Sequence, residues 1–178
     1  MGKNIKVSII AMFLICFVGC SNVTFEKYSG ENLNIGVIGE IPNVREGIIR
    51  FENIEFNDLE KDNVLSKYDA VFITEDNLLE ASKKEYAHVY NECVVPFFFI
   101  ESTKGSVPFI NEDLSYEDVP QSSNPPAYVA GVLKDNKELS FVEYGLYNDT
   151  ENAKSIEDVY SRIFTTISQN KNKQNFNL

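Results

Sequence analysis

Glu40, Thr74, Glu75, Glu101 and Ser102 each stand just past a largely apolar run of the chain. Those runs are Leu33 to Ile38, Tyr68 to Ile73, and Val94 to Ile100. If they are parallel strands of one open sheet, their carboxyl ends share an edge, and ligands of α/β sheets bind outside that edge. Glu40, Glu75 and Glu101 then deliver three carboxylates to one place, with the Thr74, Ser102 and Thr103 hydroxyls beside them. Oxygen donors of this kind suit hard cations such as Ca2+ or Mg2+. A cationic small molecule fits them as well. Acids also follow strands in order to cap helices, whose N-terminal ends favour negative charge. Asp76 and Glu80 have that look, and this ordinary use outweighs the site.

Other chemistries find less. No G-x-S-x-G elbow occurs, and a serine triad would need His88, the single histidine. His88 lies mid-helix beside Lys84 and Glu85, which predicts a solvated surface position. One histidine and one available cysteine cannot supply a zinc site. Gly36-x-x-Gly39 lacks the third glycine of a dinucleotide fingerprint, and Glu40 puts a carboxylate where phosphate would sit. The acid pairs Glu112-Asp113 and Glu117-Asp118 match no calcium-loop spacing. Cys93 has no base near it in sequence and reads as a buried thiol at a helix end.

The elements that must carry these residues alternate between strand and helix patterns. After the run to Ile38, a crossover through Pro42 leads to a second strand near Ile54 and Phe56. A helical stretch follows from Leu59 to Leu65. The Tyr68–Ile73 run is apolar throughout its second half, as in a strand covered on both faces. Asn77 followed by Glu80 resembles a capping box opening a helix to about Asn91. Residues 101–126 are rich in Ser, Pro and acids, and a loop this long is functional or mobile. With Phe109, Leu114 and Tyr116 it can act as a lid or a partner surface. Tyr128–Leu133 and Leu139–Tyr147 form a β-hairpin on the sheet edge. Ser155 and Asp158 then open a helix whose Ile156, Val159, Tyr160, Ile163, Phe164 and Ile167 make one apolar face.

Together these elements predict one three-layer α/β domain with a mainly parallel sheet, plus a C-terminal β-hairpin and helix. The pattern resembles the broad flavodoxin-like or Rossmann-like class.

The N-terminus reads MGKNIKVSIIAMFLICFVGC. Lys3 and Lys6 precede an uncharged run from Val7 to Gly19, the length of a signal sequence and short for a membrane span. Phe17-Val18-Gly19-Cys20 resembles the lipobox of bacterial lipoprotein signal peptides of Gram-positive type. That resemblance covers about 22 residues, with Phe17 where leucine is preferred. It implies cleavage before Cys20, a diacylglyceryl group on the Cys20 thiol, and a domain held outside the cytoplasmic membrane. Ordinary cleavage releasing a free chain and retention as an uncleaved anchor are the other two readings of the run. The organisation expected is a signal peptide at 1–19, a lipidated tether at 20–32, the α/β domain at 33–169 and a disordered tail at 170–178.

Charge supports lipid attachment over electrostatic docking. The 178 residues carry 16 bases and 27 acids, net −11. Loss of residues 1–19 removes Lys3 and Lys6 and no acid, taking the net charge to −13. Such a surface does not bind nucleic acid, which requires clustered bases, and anionic lipid repels it. The function expected is a membrane-anchored binding or interaction module whose partner is an envelope protein or a small ligand. The alternative is a small divalent-cation-dependent enzyme using Glu40, Glu75 and Glu101. No resident cofactor is expected beyond that possible Ca2+ or Mg2+.

Overall fold

The computed structural model describes residues 24–135 and 138–176. The expected signal peptide and Cys20 therefore lie outside the described residues, as does the centre of the hairpin turn. Six strands form one sheet in the order β2-β1-β3-β4-β5-β6. They are β1 (Leu33–Ile38), β2 (Ile49–Asn53), β3 (Ala70–Ile73), β4 (Phe97–Ile100), β5 (Val129–Asp135) and β6 (Glu138–Tyr144). The first four are parallel, and β5 and β6 add as an antiparallel edge hairpin. The α/β class, the mainly parallel sheet and the edge hairpin are as the sequence predicts.

Strict alternation along the strands separates two cores. Leu33, Ile35, Val37, Ala70, Phe72, Phe98 and Ile100 face one side. Ile38, Val71, Ile73, Phe97 and Phe99 face the other. Side chains of a strand alternate between faces, so an unbroken apolar run must be covered twice. The long helix α5 (Ala153–Phe176) covers the first side with Val159, Tyr160, Ile163, Phe164 and Ile167. Four helices cover the second: α1 (Asp62–Leu65), α2 (Leu78–Ala81), α3 (Lys84–Glu92) and α4 (Val107–Ile110). The three layers are thus real, but only α3 and α5 exceed a single turn.

Strand order reverses between β1 and β3. The chain leaves β1 for β2 in one direction and then steps back past β1 to β3. The first crossover packs Val44 and Ile48 on the α5 side, and the second packs Leu59 and Leu65 on the opposite side. Opposite directions on opposite faces give both crossovers the same hand. Loops from the two sides diverge at the carboxyl ends of β1 and β3 and leave a crevice there.

Several boundaries differ from the sequence reading. The first crossover contains no α-helix, and β2 ends at Asn53, ahead of the expected Ile54 and Phe56. It is an edge strand with only Ile49 buried, so it shows little apolar signal. The helix expected from Asn77 to Asn91 is broken between α2 and α3. No side chain caps α2, and Glu80 instead pairs with Lys83 at 2.6 Å. Ser82 makes the break: its Oγ donates to Leu79 O at 2.9 Å, drawing a carbonyl out of the helix pattern. The Ser82 Oγ in turn accepts from Tyr116 N at 2.8 Å.

The 101–126 segment is not a lid over the strand ends. It folds back along the second core and contributes α4, whose fully buried Phe109 stacks on Phe99 at 3.6 Å. At the C-terminus, Asn152 rather than Ser155 caps α5, its Oδ1 accepting from Ser155 N at 3.0 Å. The helix runs on to Phe176 instead of ending at Gln169. Gln174 Nε2 donates to Val94 O at 3.0 Å, and Lys171 pairs with Glu31 and Asp69 at 2.9 Å each.

Residues 24–32, expected to be tether, pack along α5. Tyr28 is buried against Phe164, and Phe25 meets Tyr147 edge-on at 5.1 Å. Two aromatic side chains give this polar-looking stretch enough apolar area to dock. Arg45 fixes its backbone, donating to Glu26 O at 2.8 Å and Phe25 O at 3.5 Å. The same guanidinium donates to Ser161 Oγ at 2.8 Å, and that hydroxyl donates to the buried Glu46 Oε1 at 2.6 Å. One clamp thus joins the first crossover, the N-terminal strap and α5. Among the described residues no helix is long and apolar enough to cross a membrane.

Candidate functional site

Glu40, Thr74, Glu75 and Glu101 line one pocket of about 250 Å³ at the carboxyl edge of the sheet. It lies at the strand-order reversal between β1 and β3. Ile41, Pro42, Asn43, Asp76, Ile100 and Tyr160 complete the lining. The four residues come from the ends of β1, β3 and β4, where parallel alignment brings them to one level.

Ser102 does not join them. It is fully buried, and its Oγ donates to Gly105 O at 3.3 Å, closing the turn after β4. That turn puts Ser102 on the inner side of the chain, so its hydroxyl has a structural duty. Thr103 likewise belongs to that turn: its N–H donates to the Tyr116 hydroxyl at 3.3 Å.

The rim is built tightly. Gly39 has φ +110°, which L side chains rarely adopt, and a Cβ there would collide with Thr74 Oγ1. Asn53 Nδ2 donates to Gly39 O at 2.8 Å, and Thr74 N donates to Ile38 O at 3.1 Å. These bonds hold the β1 and β3 ends together beneath Glu40 and Glu75. Neither Glu75 nor Asp76 acts as the side-chain cap of the short turn in which they sit, nor is α2 capped by a side chain. Glu75 and Asp76 do lie in the first turn after β3, and Glu80 in the first turn of α2, where the helix N-terminus favours their charge without a side-chain cap bond.

Glu101 is the most unusual member. It has φ 62°, in the left-handed region where a glycine or asparagine is the common residue. That conformation turns its half-buried side chain toward the pocket and toward Tyr128, whose hydroxyl donates to Oε1 at 3.1 Å. Burial pushes the Glu101 carboxyl above the usual glutamate range, and the Tyr128 bond works in the opposite direction. Nearby Glu75 and Glu151 raise it further. The phenols of Tyr128 and Tyr160 are themselves raised by burial and then by the charge of Glu101.

A stability prediction follows from that carboxyl. Because its folded value lies above its unfolded value, the folded state holds the proton more tightly, and stability falls as pH rises through that window. Glu101→Gln keeps an acceptor for Tyr128 and removes the ionisation. The variant is expected to melt above the parent at pH 7, with the gain shrinking toward pH 4. Thermal denaturation at both pH values checks this; a variant that melts lower at pH 7 would mean that its surroundings favour the ionised carboxyl.

Among the described residues, no three acidic, histidine or cysteine side chains are grouped so that they can share one metal ion. His88 is exposed on α3, as expected. Cys93 is half-buried at the C-cap of α3 against the second core. A larger groove of about 640 Å³ lies between the N-terminal strap and α5. Its Asp158 and Arg162 pair with each other at 2.9 Å. The smaller pocket carries the unpaired acids.

Sequence reasoning missed Tyr128 and Tyr160. Tyr160 reads only as part of the apolar stripe of α5, and that a hydroxyl on this stripe reaches the strand ends is set by where α5 crosses the sheet. No family model, curated protein or solved structure matches the chain.

Proposed function

We propose that the chain is a membrane-anchored extracytoplasmic lipoprotein whose single α/β domain binds a small ligand at the carboxyl edge of its sheet. The observation that carries the binding role is the meeting of Glu40, Thr74, Glu75 and Glu101 around one pocket at the strand-order reversal. The order β2-β1-β3-β4 supports a flavodoxin-like ancestry for the parallel part of the sheet, with β5 turned over. A divalent-cation enzyme built on Glu40, Glu75 and Glu101 has less support, since no such trio is grouped to hold a metal among the described residues.

Anchoring rests on the lipobox-like Phe17-Val18-Gly19-Cys20. Two acyl chains hold a protein firmly where one holds it marginally, each buried methylene adding ~0.8 kcal/mol. Phe25 is fixed against Tyr147, just past the end of β6 and at the same edge as the pocket. Ser21 to Thr24 can span only about 17 Å between Cys20 and Phe25 when fully extended. The pocket end then stays close to the bilayer surface.

The test is fatty-acid labelling of the full chain in a Gram-positive host. The expected result is a labelled protein in the membrane fraction, with Cys20→Ala unlabelled and retained as a longer precursor. An unlabelled parent chain found in the medium would remove the lipoprotein reading. Native mass spectrometry of the same purified protein tests the pocket: a small molecule retained by the parent and absent from Glu75→Gln supports it.

A further inference from the structure

The acids of the pocket are accompanied by a tyrosine hydroxyl that no group among the described residues bonds. Tyr160 is only 4% exposed, and its ring is packed against Phe72 and Phe164, with centroids 6.2 Å away in each case. Tyr160 lines the pocket, the charge of Glu101 reaches its phenol, and the hydroxyl has no hydrogen-bond partner among the described residues. Packing on two phenylalanines prevents the ring from turning away, so the hydroxyl has only the pocket from which to take a partner. Whatever occupies the pocket can complete that bond.

The lining defines the charge of the occupant. Glu40, Glu75, Asp76 and Glu101 are present, and no lysine, arginine or histidine is. An anion is therefore repelled. A divalent metal would need several carboxylates closing on one point, and no group of three does so among the described residues. Ile41, Pro42 and Ile100 supply an apolar side, which a bare ion does not use but a short carbon chain does. About 250 Å³ equals the liquid volume of roughly eight waters, enough for a molecule of about ten non-hydrogen atoms at most.

We propose that this pocket binds a small organic ammonium ion, with its N–H groups on Glu75 and Glu101, its carbon chain on Ile41, Pro42 and Ile100, and a polar atom bonded to the Tyr160 hydroxyl. The inference rests on the binding role proposed above and names the ligand class for that same site. Ammonium-to-carboxylate hydrogen bonds are charge-assisted and are the strong kind. A primary amine has three donors to distribute, so it can satisfy carboxylates that are near one another without being grouped tightly enough for a metal.

The test is calorimetric titration of the full chain in detergent with methylammonium, ethanolamine and 1,4-diaminobutane. CaCl2, MgCl2 and sodium acetate serve as comparisons. One of the amines is expected to bind saturably, one per chain. Its affinity should fall about tenfold or more in Glu75→Gln and Glu101→Gln. Tyr160→Phe should weaken it several-fold while the melting temperature stays equal or rises, since the variant loses an unbonded hydroxyl. No saturation by any amine at about 10 mM, or saturation that all three variants leave intact, would overturn the proposal. Ca2+ or Mg2+ uptake abolished by Glu75→Gln, with no amine binding, would overturn the ammonium ligand and leave the pocket standing. No uptake of any probe, with a bare mass in the native spectrum, would remove the pocket reading too.

Discussion

Phe164→Ala is expected to destabilise the domain by about 3–5 kcal/mol, the largest effect of any single truncation on the α5 face. Phe164 is fully buried and sits at the centre of an aromatic cluster joining all parts of that layer. Its ring stacks on Phe72 of β3 at 6.3 Å and meets Phe51 of β2 at 6.5 Å. It also meets Tyr28 of the N-terminal strap at 5.9 Å and Tyr160, one helical turn earlier, at 6.2 Å. Four elements surround the site, so the void left by alanine cannot collapse without moving all of them. A chain of this size loses about 2–4 °C of melting temperature per kcal/mol, which makes the fall about 10 °C. Thermal and denaturant unfolding measure it, with Phe164→Leu as a milder control. A fall of under about 2 °C would mean that α5 is not packed on the sheet as described.

Arg45→Ala is expected to cost about 2–4 kcal/mol. Removing one member of a buried ion pair leaves the other as an uncompensated charge, and Glu46 is fully enclosed. Arg45 itself keeps 22% of its side chain exposed, which brings the figure below that of a wholly buried pair. The loss would not be confined to the pair. The guanidinium also holds the Phe25 and Glu26 carbonyls and the Ser161 hydroxyl. Freed of it, residues 24–32 should lift from α5 and become susceptible to protease. The crossover wall at Glu40–Asn43 should loosen as well, weakening any pocket ligand. Arg45→Met combined with Glu46→Gln should recover part of the stability, because the stranded charge is gone, without restoring protection of the strap. Parent-like melting and proteolysis in Arg45→Ala would show that the clamp carries no load.

Local pattern alone was enough for much of the architecture. The apolar runs ending at Ile38, Ile73 and Ile100 became β1, β3 and β4, and the polar turn between Leu133 and Leu139 became the edge hairpin. The 3.6-residue stripe from Ile156 to Ile167 became the buried face of α5. Such signals are readable because a buried strand or helix face repeats its burial every two or three to four residues. The acids Glu40, Glu75 and Glu101 could be placed at one edge for the same reason, since parallel strands end together.

What depended on two distant surfaces meeting was not in the pattern. The edge strand β2 is mostly solvated, so the apolar signal for a second strand pointed a few residues late, to Ile54 and Phe56. Phe25 and Tyr28 became a strap only because α5 and the Arg45 guanidinium lie opposite them. Phe109 turned the 101–126 segment inward because the Phe99 ring was there to stack on. Ser102 left the site because its hydroxyl closes a turn. Tyr160 entered the site, since the packing of α5 on the sheet places this one residue of the apolar stripe beside the strand ends. The sequence by itself determined which residues must be buried and which edge the carboxylates would share. Only the tertiary structure decided which hydroxyls meet them, because that depends on the relative placement of elements 27 or more residues apart, and periodicity records nothing about it.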